Sequence, residues 1–172
     1  ESLVDLARPA MEKLVAQTAE SVYLAVEGHA ATALYIGIVE GTHSVRHANW
    51  VGRSIPLATS AAGHALRGEV PPAGYVVIER GVEKDVTAIA CPLHSEARIV
   101  AALSVVVPRY RLTECQAAQY GEMLVSAAAA VSAPLSRSPK TSLPERASCW
   151  HRPPGPGPCA PRAARSCAPA RG

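Results

Sequence analysis

Phenylalanine is absent from the 172 residues, and aromatic residues make up only 4%. The core must therefore be built from Val, Leu, Ile and Ala. Long apolar runs are missing too: the richest, Ile99 to Val107, is too short to cross a bilayer, so no membrane partner is expected. No charged-then-apolar secretory signal opens the chain. Glu1-Ser2-Leu3-Val4-Asp5 reads instead as the interior of a longer protein. Cysteine is sparse, with only Cys91 and Cys115 ahead of residue 136. That excludes a disulfide framework and makes a reducing cytoplasm the expected location. A basic excess is also lacking where a fold is expected: residues 1–135 hold 10 Lys+Arg against 13 Asp+Glu. Such a balance argues against a nucleic-acid surface.

What basic charge there is lies in residues 136–172, with 7 Lys+Arg against Glu145 alone. This stretch also holds 8 of the 15 prolines and three of the five cysteines. Its apolar residues are too sparse to bury, so it is expected to be a disordered Pro/Arg/Cys-rich tail beside a domain of residues 1–135. The same bias fits a shifted reading frame through GC-rich DNA. Cys149, His151, Cys159 and Cys167 have ligand-type side chains, but at irregular spacing and without a scaffold. They read as adventitious thiols, not a metal site.

The domain's elements are legible. Pro9 suits a first helical turn, and Ala10, Met11, Leu14, Val15 and Thr18 keep helical spacing through Glu20. Strands are expected over 22–26 and 33–39, joined by a turn at Gly28 to Ala31, with a weaker one over 44–48. Further strands cover 74–79, 86–93 and 99–107, the last two forming a hairpin around 94–98. A closing helix starts at a Thr113/Gln116 capping box and runs to about Ala133, where Pro134 stops it. Hairpins dominate and no βαβ glycine fingerprint appears. This predicts an α+β fold: an antiparallel sheet of five to six strands with packed helices.

Between these elements lies Arg53-Ser-Ile-Pro-Leu-Ala-Thr-Ser-Ala-Ala-Gly-His-Ala-Leu66. It reads as an extended segment that breaks at Pro56 and turns into a small-residue helix over 60–67, with Thr59 or Ser60 as N-cap. Ala61, Ala62 and Gly63 carry almost no side chain. Their amides are open to an anion, or their smallness serves close helix–sheet packing; the sequence admits both. No nucleophile–base pair sits in the run. Cys91 and His94, three apart on a strand, are expected on opposite faces, which makes an enzyme the lesser alternative. His43, His47, His64 and Glu79 match no zinc spacing, and no metal or cofactor is expected.

Three stretches carry a resemblance: 14–26, 51–65 (Val-Gly-Arg-Ser-Ile-Pro-Leu-Ala-Thr-Ser-Ala-Ala-Gly-His-Ala), and Ala88-Ile-Ala-Cys-Pro-Leu93 with 100–113. In this order they resemble the effector-binding domain of the IclR family of bacterial transcription regulators, a GAF-like fold. The resemblance implies a small-organic-acid pocket over the sheet and no chemistry. It places helix-start amides at Ala61 and Ala62 and an apolar wall at Ile55. Ala88 lies on a pocket strand with Val86 beside it. Ser104 matches a pocket hydroxyl, a second such position being Val106. The acidic pocket position falls at Ile78 or Glu79, depending on register, and Glu79, with Ser104, is expected to address the polar groups of the ligand. A homodimer or homotetramer is implied, with DNA contacted only through a winged helix-turn-helix outside this chain. A stand-alone GAF-like sensor is the alternative. The chain departs from the family in three places. Only 67–73 separate Leu66 from Gly74, where the family has further helices. The 94–98 hairpin is one residue short, and Gly81 replaces a second acidic residue.

Overall fold

A computed structural model describes residues 2–45 and 48–137. Helix α1 (Leu3–Thr18) starts six residues earlier than the sequence reading placed it. The reason is a capping box: the Asp5 amide donates to Ser2 Oγ, and the Asp5 carboxylate accepts from the Ser2 amide and hydroxyl. Pro9 is therefore inside the helix. Its missing N–H costs one backbone bond on an exposed face, and packing carries the rest. Ala7, Met11, Leu14, Val15 and Thr18 form the buried stripe.

Strands β1 (Ser21–Glu27) and β2 (Thr32–Val39) form the expected hairpin. β2 is next flanked not by a strand over 44–48 but by β3 (Ser54–Pro56), which pairs with Thr32 to Leu34. Of 44–48, Arg46 and His47 lie outside the described residues, and the other three are not in a strand. Helix α2 (Ala61–Leu66) follows, then β4 (Val76–Glu79), β5 (Val86–Ser95) and β6 (Arg98–Pro108). A short 3-10 turn at Arg109–Arg111 leads to helix α3 (Glu114–Arg137). Thr113 and Gln116 make the expected box, with the Gln116 amide donating to Thr113 Oγ1 and the Thr113 amide to Gln116 Oε1. Pro134 does not end α3. The helix is fastened on both sides of it: the His94 amide donates to Ser132 Oγ, and Ser95 Oγ to the Leu135 carbonyl.

The six strands form one antiparallel sheet in the order β3-β2-β1-β6-β5-β4. The α+β expectation holds. Both faces of its centre are covered, so β1 is buried without a break from Ser21 to Ala25. Alternation divides the core in two. Val22, Leu24, Ile89, Cys91, Leu103 and Val105 face α1 and α3. Tyr23, Ala25, Ala88, Ala90, Ala102 and Val106 face α2 and the segments around it. This second face, floored largely by alanine, leaves room for large side chains from above.

Candidate functional site

Three aromatic residues fill that room. Tyr23 and Tyr35 rise from the sheet, and Trp50 descends from the segment ahead of β3. The ring centroids lie 4.8 Å (Tyr23–Tyr35), 5.9 Å (Tyr23–Trp50) and 5.9 Å (Tyr35–Trp50) apart. A turn aims the indole inward: the Arg53 amide donates to the Trp50 carbonyl, with Gly52 at φ +82°, a conformation glycine adopts freely. Trp50 Nε1 donates to Glu83 Oε1 at 3.2 Å. Arg53 pairs with the same oxygen at 3.5 Å and lies 5.9 Å from the indole centroid. The Trp50 amide donates to the Tyr23 hydroxyl. Burial pushes the Tyr23 phenol up to about 12, opposed by its bond to Trp50.

The space left beside the rings is about 10 Å³, at most one water. It is lined by Tyr35, Trp50, Ala61, Ile78, Gly81, Val82, Val86 and Ala88. Of the residues singled out from sequence, Ala61, Val86 and Ala88 border this cavity, and Ile55 and Ala62 belong to the same buried cluster. Ser104 lies on the same sheet face, opposite Tyr23 on β1 and Ala90 on β5. It is fully buried, and its hydroxyl has no hydrogen-bond partner. Tyr35 is close enough for Ser104 to lower its pKa against the dominant upward push of burial, yet the two hydroxyls do not meet in hydrogen-bond geometry.

Glu79 is not at this site. β4 pairs Ile78 with Ala88 and Glu79 with Thr87, so alternation turns Ile78 to the cavity and Glu79 to the opposite face. There Glu79 lines a groove beside α3 and meets Arg109 at 3.4 Å. Glu79, expected to face the pocket, is turned away from it, and Ile78 lines the cavity instead. The acid that reaches the cavity cluster is Glu83, on the β4–β5 connection.

Helix α2 is capped and closely packed through its small residues. Ser60 is the cap: its Oγ accepts from the Gly63 amide at 3.0 Å, and its carbonyl accepts from His64. Among the described residues, the buried Ala61 and Ala62 amides have no acceptor. At Gly63 a Cβ would fall on the Leu57 backbone, so that position is set by packing.

Among the described residues of this site no nucleophile is set beside a base. Cys91 is buried on the other face, its thiol donating to the Leu124 carbonyl and pushed up to about 12 by burial. The bulge between Leu93 and His94 corrects the expected alternation and brings both Cys91 and His94 to one groove against α3. A protonated, hydrogen-bonded thiol is still a poor nucleophile. His43 sits by Glu20, His64 by Glu69 and Glu79 by Arg109, while His47 lies outside the described residues. Among the described residues no three metal-binding side chains converge. The tail residues Cys149, His151, Cys159 and Cys167 also lie outside the described part.

Sequence reasoning missed Trp50 and Glu83, because the pairing of two loops is invisible in the chain. The signal available was Trp50 itself, one of only two tryptophans in an aromatic-poor sequence.

No curated protein matches the chain significantly. Among solved structures, an IclR homologue from Microbacterium hydrocarbonoxydans complexed with 4-hydroxybenzoate is similar at 26% identity and TM-score 0.67, over 79% of this chain and 69% of that one. The C-terminal domain of the E. coli transcriptional regulator KdgR is similar at 21% identity and TM-score 0.66, over 78% and 98%. The IclR protein of Thermotoga maritima is similar at 19% identity and TM-score 0.69, over 79% and 69%. The family model described as bacterial transcriptional regulator IclR C-terminal matches residues 1–73 and 69–133, two stretches that overlap just ahead of Gly74. The chain belongs to the IclR family of bacterial transcriptional regulators, of which it carries the C-terminal domain.

Proposed function

We infer that residues 1–135 sense a small organic acid and that binding controls, allosterically, a DNA-binding half outside this chain. The observation that carries this reading is the Ser104 hydroxyl, fully buried and unpartnered on the face where the aromatic cluster sits. Buried polar groups are nearly always paired, so one left unpaired marks a place where a ligand supplies the partner. The Ala61 and Ala62 amides add two donors for a carboxylate, while Ile55, Val86 and Ala88 supply apolar walls. Helix α2 has only six residues, so the N–H groups themselves, not a long dipole, would hold the anion. The relative bound to 4-hydroxybenzoate supports the ligand class.

Binding transmits a signal only through a difference in affinity between two arrangements of the protein. Helix α1 is the element we assign to that relay, in a cytoplasmic homodimer or homotetramer. Residues 136–172 are assigned no part in sensing, and the domain itself performs no chemistry.

A thermal-shift panel of small organic acids on the full chain tests this, with wild type beside Ser104→Ala. A ligand at a hundred times its Kd adds about 2.7 kcal/mol. Stabilisation by an acid that weakens in Ser104→Ala is the expected result. A folded wild type that no acid stabilises overturns the reading.

A further inference from the structure

We propose that the groove between β4 and the start of α3 is a second ligand site, and that it takes an amino acid with an aliphatic side chain. The groove lies on the opposite face of the sheet from α2 and the aromatic cluster. The proposal is independent of the sensing reading above.

The groove has a volume of about 340 Å³, which falls in the size range of small-molecule sites. Its floor includes Thr87 of β5, which alternation turns to the α3 face together with Ile89 and Cys91. Thr87 is only 2% exposed. Among the described residues its hydroxyl has no hydrogen-bond partner, and what it borders is the groove. Buried hydroxyls are nearly always paired, so this one marks a place for a polar group from outside the fold.

The charges around Thr87 define that group. Glu79 is its cross-strand partner, so the two side chains stand side by side on this face. Arg109, in the 3-10 turn after β6, has its Nη2 3.4 Å from Glu79 Oε2. This is one long contact between side chains 38% and 61% exposed, and such a pair holds weakly. It leaves the other guanidinium N–H groups for a ligand. The carboxylate of Glu114 lines the same groove. A simple anion would meet both carboxylates here, and a simple cation would meet Arg109. A ligand with a carboxylate and an ammonium on one carbon suits all four side chains. Its carboxylate accepts from Arg109 and Thr87, and its ammonium donates to Glu79 and Glu114. Val77, Leu112, Ala117 and Ala118 make the rest of the wall apolar, which selects an aliphatic side chain.

The test is titration calorimetry on the full chain with L-leucine as the probe. Two truncated probes accompany it: isocaproate, which is leucine without the ammonium, and isoamylamine, which is leucine without the carboxylate. Leucine is expected to bind saturably, and each truncated probe at least about tenfold more weakly. Arg109→Gln and Glu79→Gln, at exposed positions that the fold tolerates, should each weaken leucine at least about tenfold. Thr87→Val should weaken leucine while its urea midpoint stays the same or rises. Ser104→Ala, on the other face of the sheet, should leave leucine binding as it is. Isocaproate or isoamylamine binding as tightly as leucine overturns the ligand class. Leucine binding that survives both Arg109→Gln and Glu79→Gln but is lost in Ser104→Ala belongs to the sensing cavity, and this site is overturned while the sensing reading stands. A folded wild type that gives no saturable heat with leucine at millimolar concentration also overturns the proposal and leaves the sensing reading as it was.

Discussion

Arg111 grips the buried carboxylate of Glu20 with a two-pronged hydrogen bond, Nε to Oε1 at 2.6 Å and Nη2 to Oε2 at 2.7 Å. Glu20 lies between the end of α1 and β1, and Arg111 in the 3-10 turn ahead of α3, so the pair ties together residues 91 apart in the chain. Glu20 bonds favour the charged guanidinium, and the pKa of Arg111 is raised accordingly. Removing the arginine leaves a carboxylate that is only 3% exposed without its main partner. Arg111→Ala should cost about 3 kcal/mol, read as a lower urea midpoint. Arg111→Lys should recover only part of it, because an ammonium lacks the planar fork.

Ser104→Ala should behave in the opposite way. The hydroxyl has no partner, so its removal is expected to leave stability unchanged or to raise it by about 1 kcal/mol. Urea unfolding without ligand checks this. A loss above about 1 kcal/mol would show that the hydroxyl is already satisfied within the fold, and the argument for a ligand there would go with it.

Gly63→Ala tests the packing role of the small-residue helix. The added Cβ would collide with the Leu57 backbone, which cannot swing aside as a side-chain tip would. A cost of about 3 kcal/mol is expected, seen as a lower melting temperature. Unchanged stability would mean that α2 sits further from Leu57.

Cys91 makes stability fall at alkaline pH. Its thiol is held up at about 12 in the folded protein, while the unfolded chain ionises near the ordinary thiol value of about 8.5. The folded state then keeps a proton that the unfolded state has released. This contribution is complete below the unfolded pKa and is lost as pH rises toward about 12. Tyr23, also held at about 12, adds to the loss above its own unfolded value. Cys91→Ala should flatten the decline in urea-derived stability just above pH about 9. Site-resolved thiol labelling should find Cys115, which is exposed, reactive and Cys91 protected until unfolding.

Much of the fold was readable because local patterns carried it. The β1–β2 and β5–β6 hairpins, a cap at Thr59 or Ser60 and the Thr113/Gln116 box each follow from a few adjacent residues. The misplacements are as instructive. Pro9 suits a helix start and Pro134 a helix stop, but each sits within a helix fixed elsewhere: by Ser2 and Asp5 in α1, and by contacts of Ser132 and Leu135 with β5 in α3. Proline's local penalty was real and was outweighed by contacts distant in sequence.

The sequence by itself determined the class of fold and the small-residue helix with its cap, since alternation, helical spacing and capping act over a few residues; the family it carried only as a resemblance. Only the tertiary structure decided which face each site residue takes. The β4–β5 register sends Ile78 inward and Glu79 outward, and that register depends on pairing between strands, not on either strand alone. The same holds for Trp50. A tryptophan in a polar loop has no predictable destination until β2 and β3 pair, Gly52 turns the chain, and an alanine floor leaves a space that an indole fills.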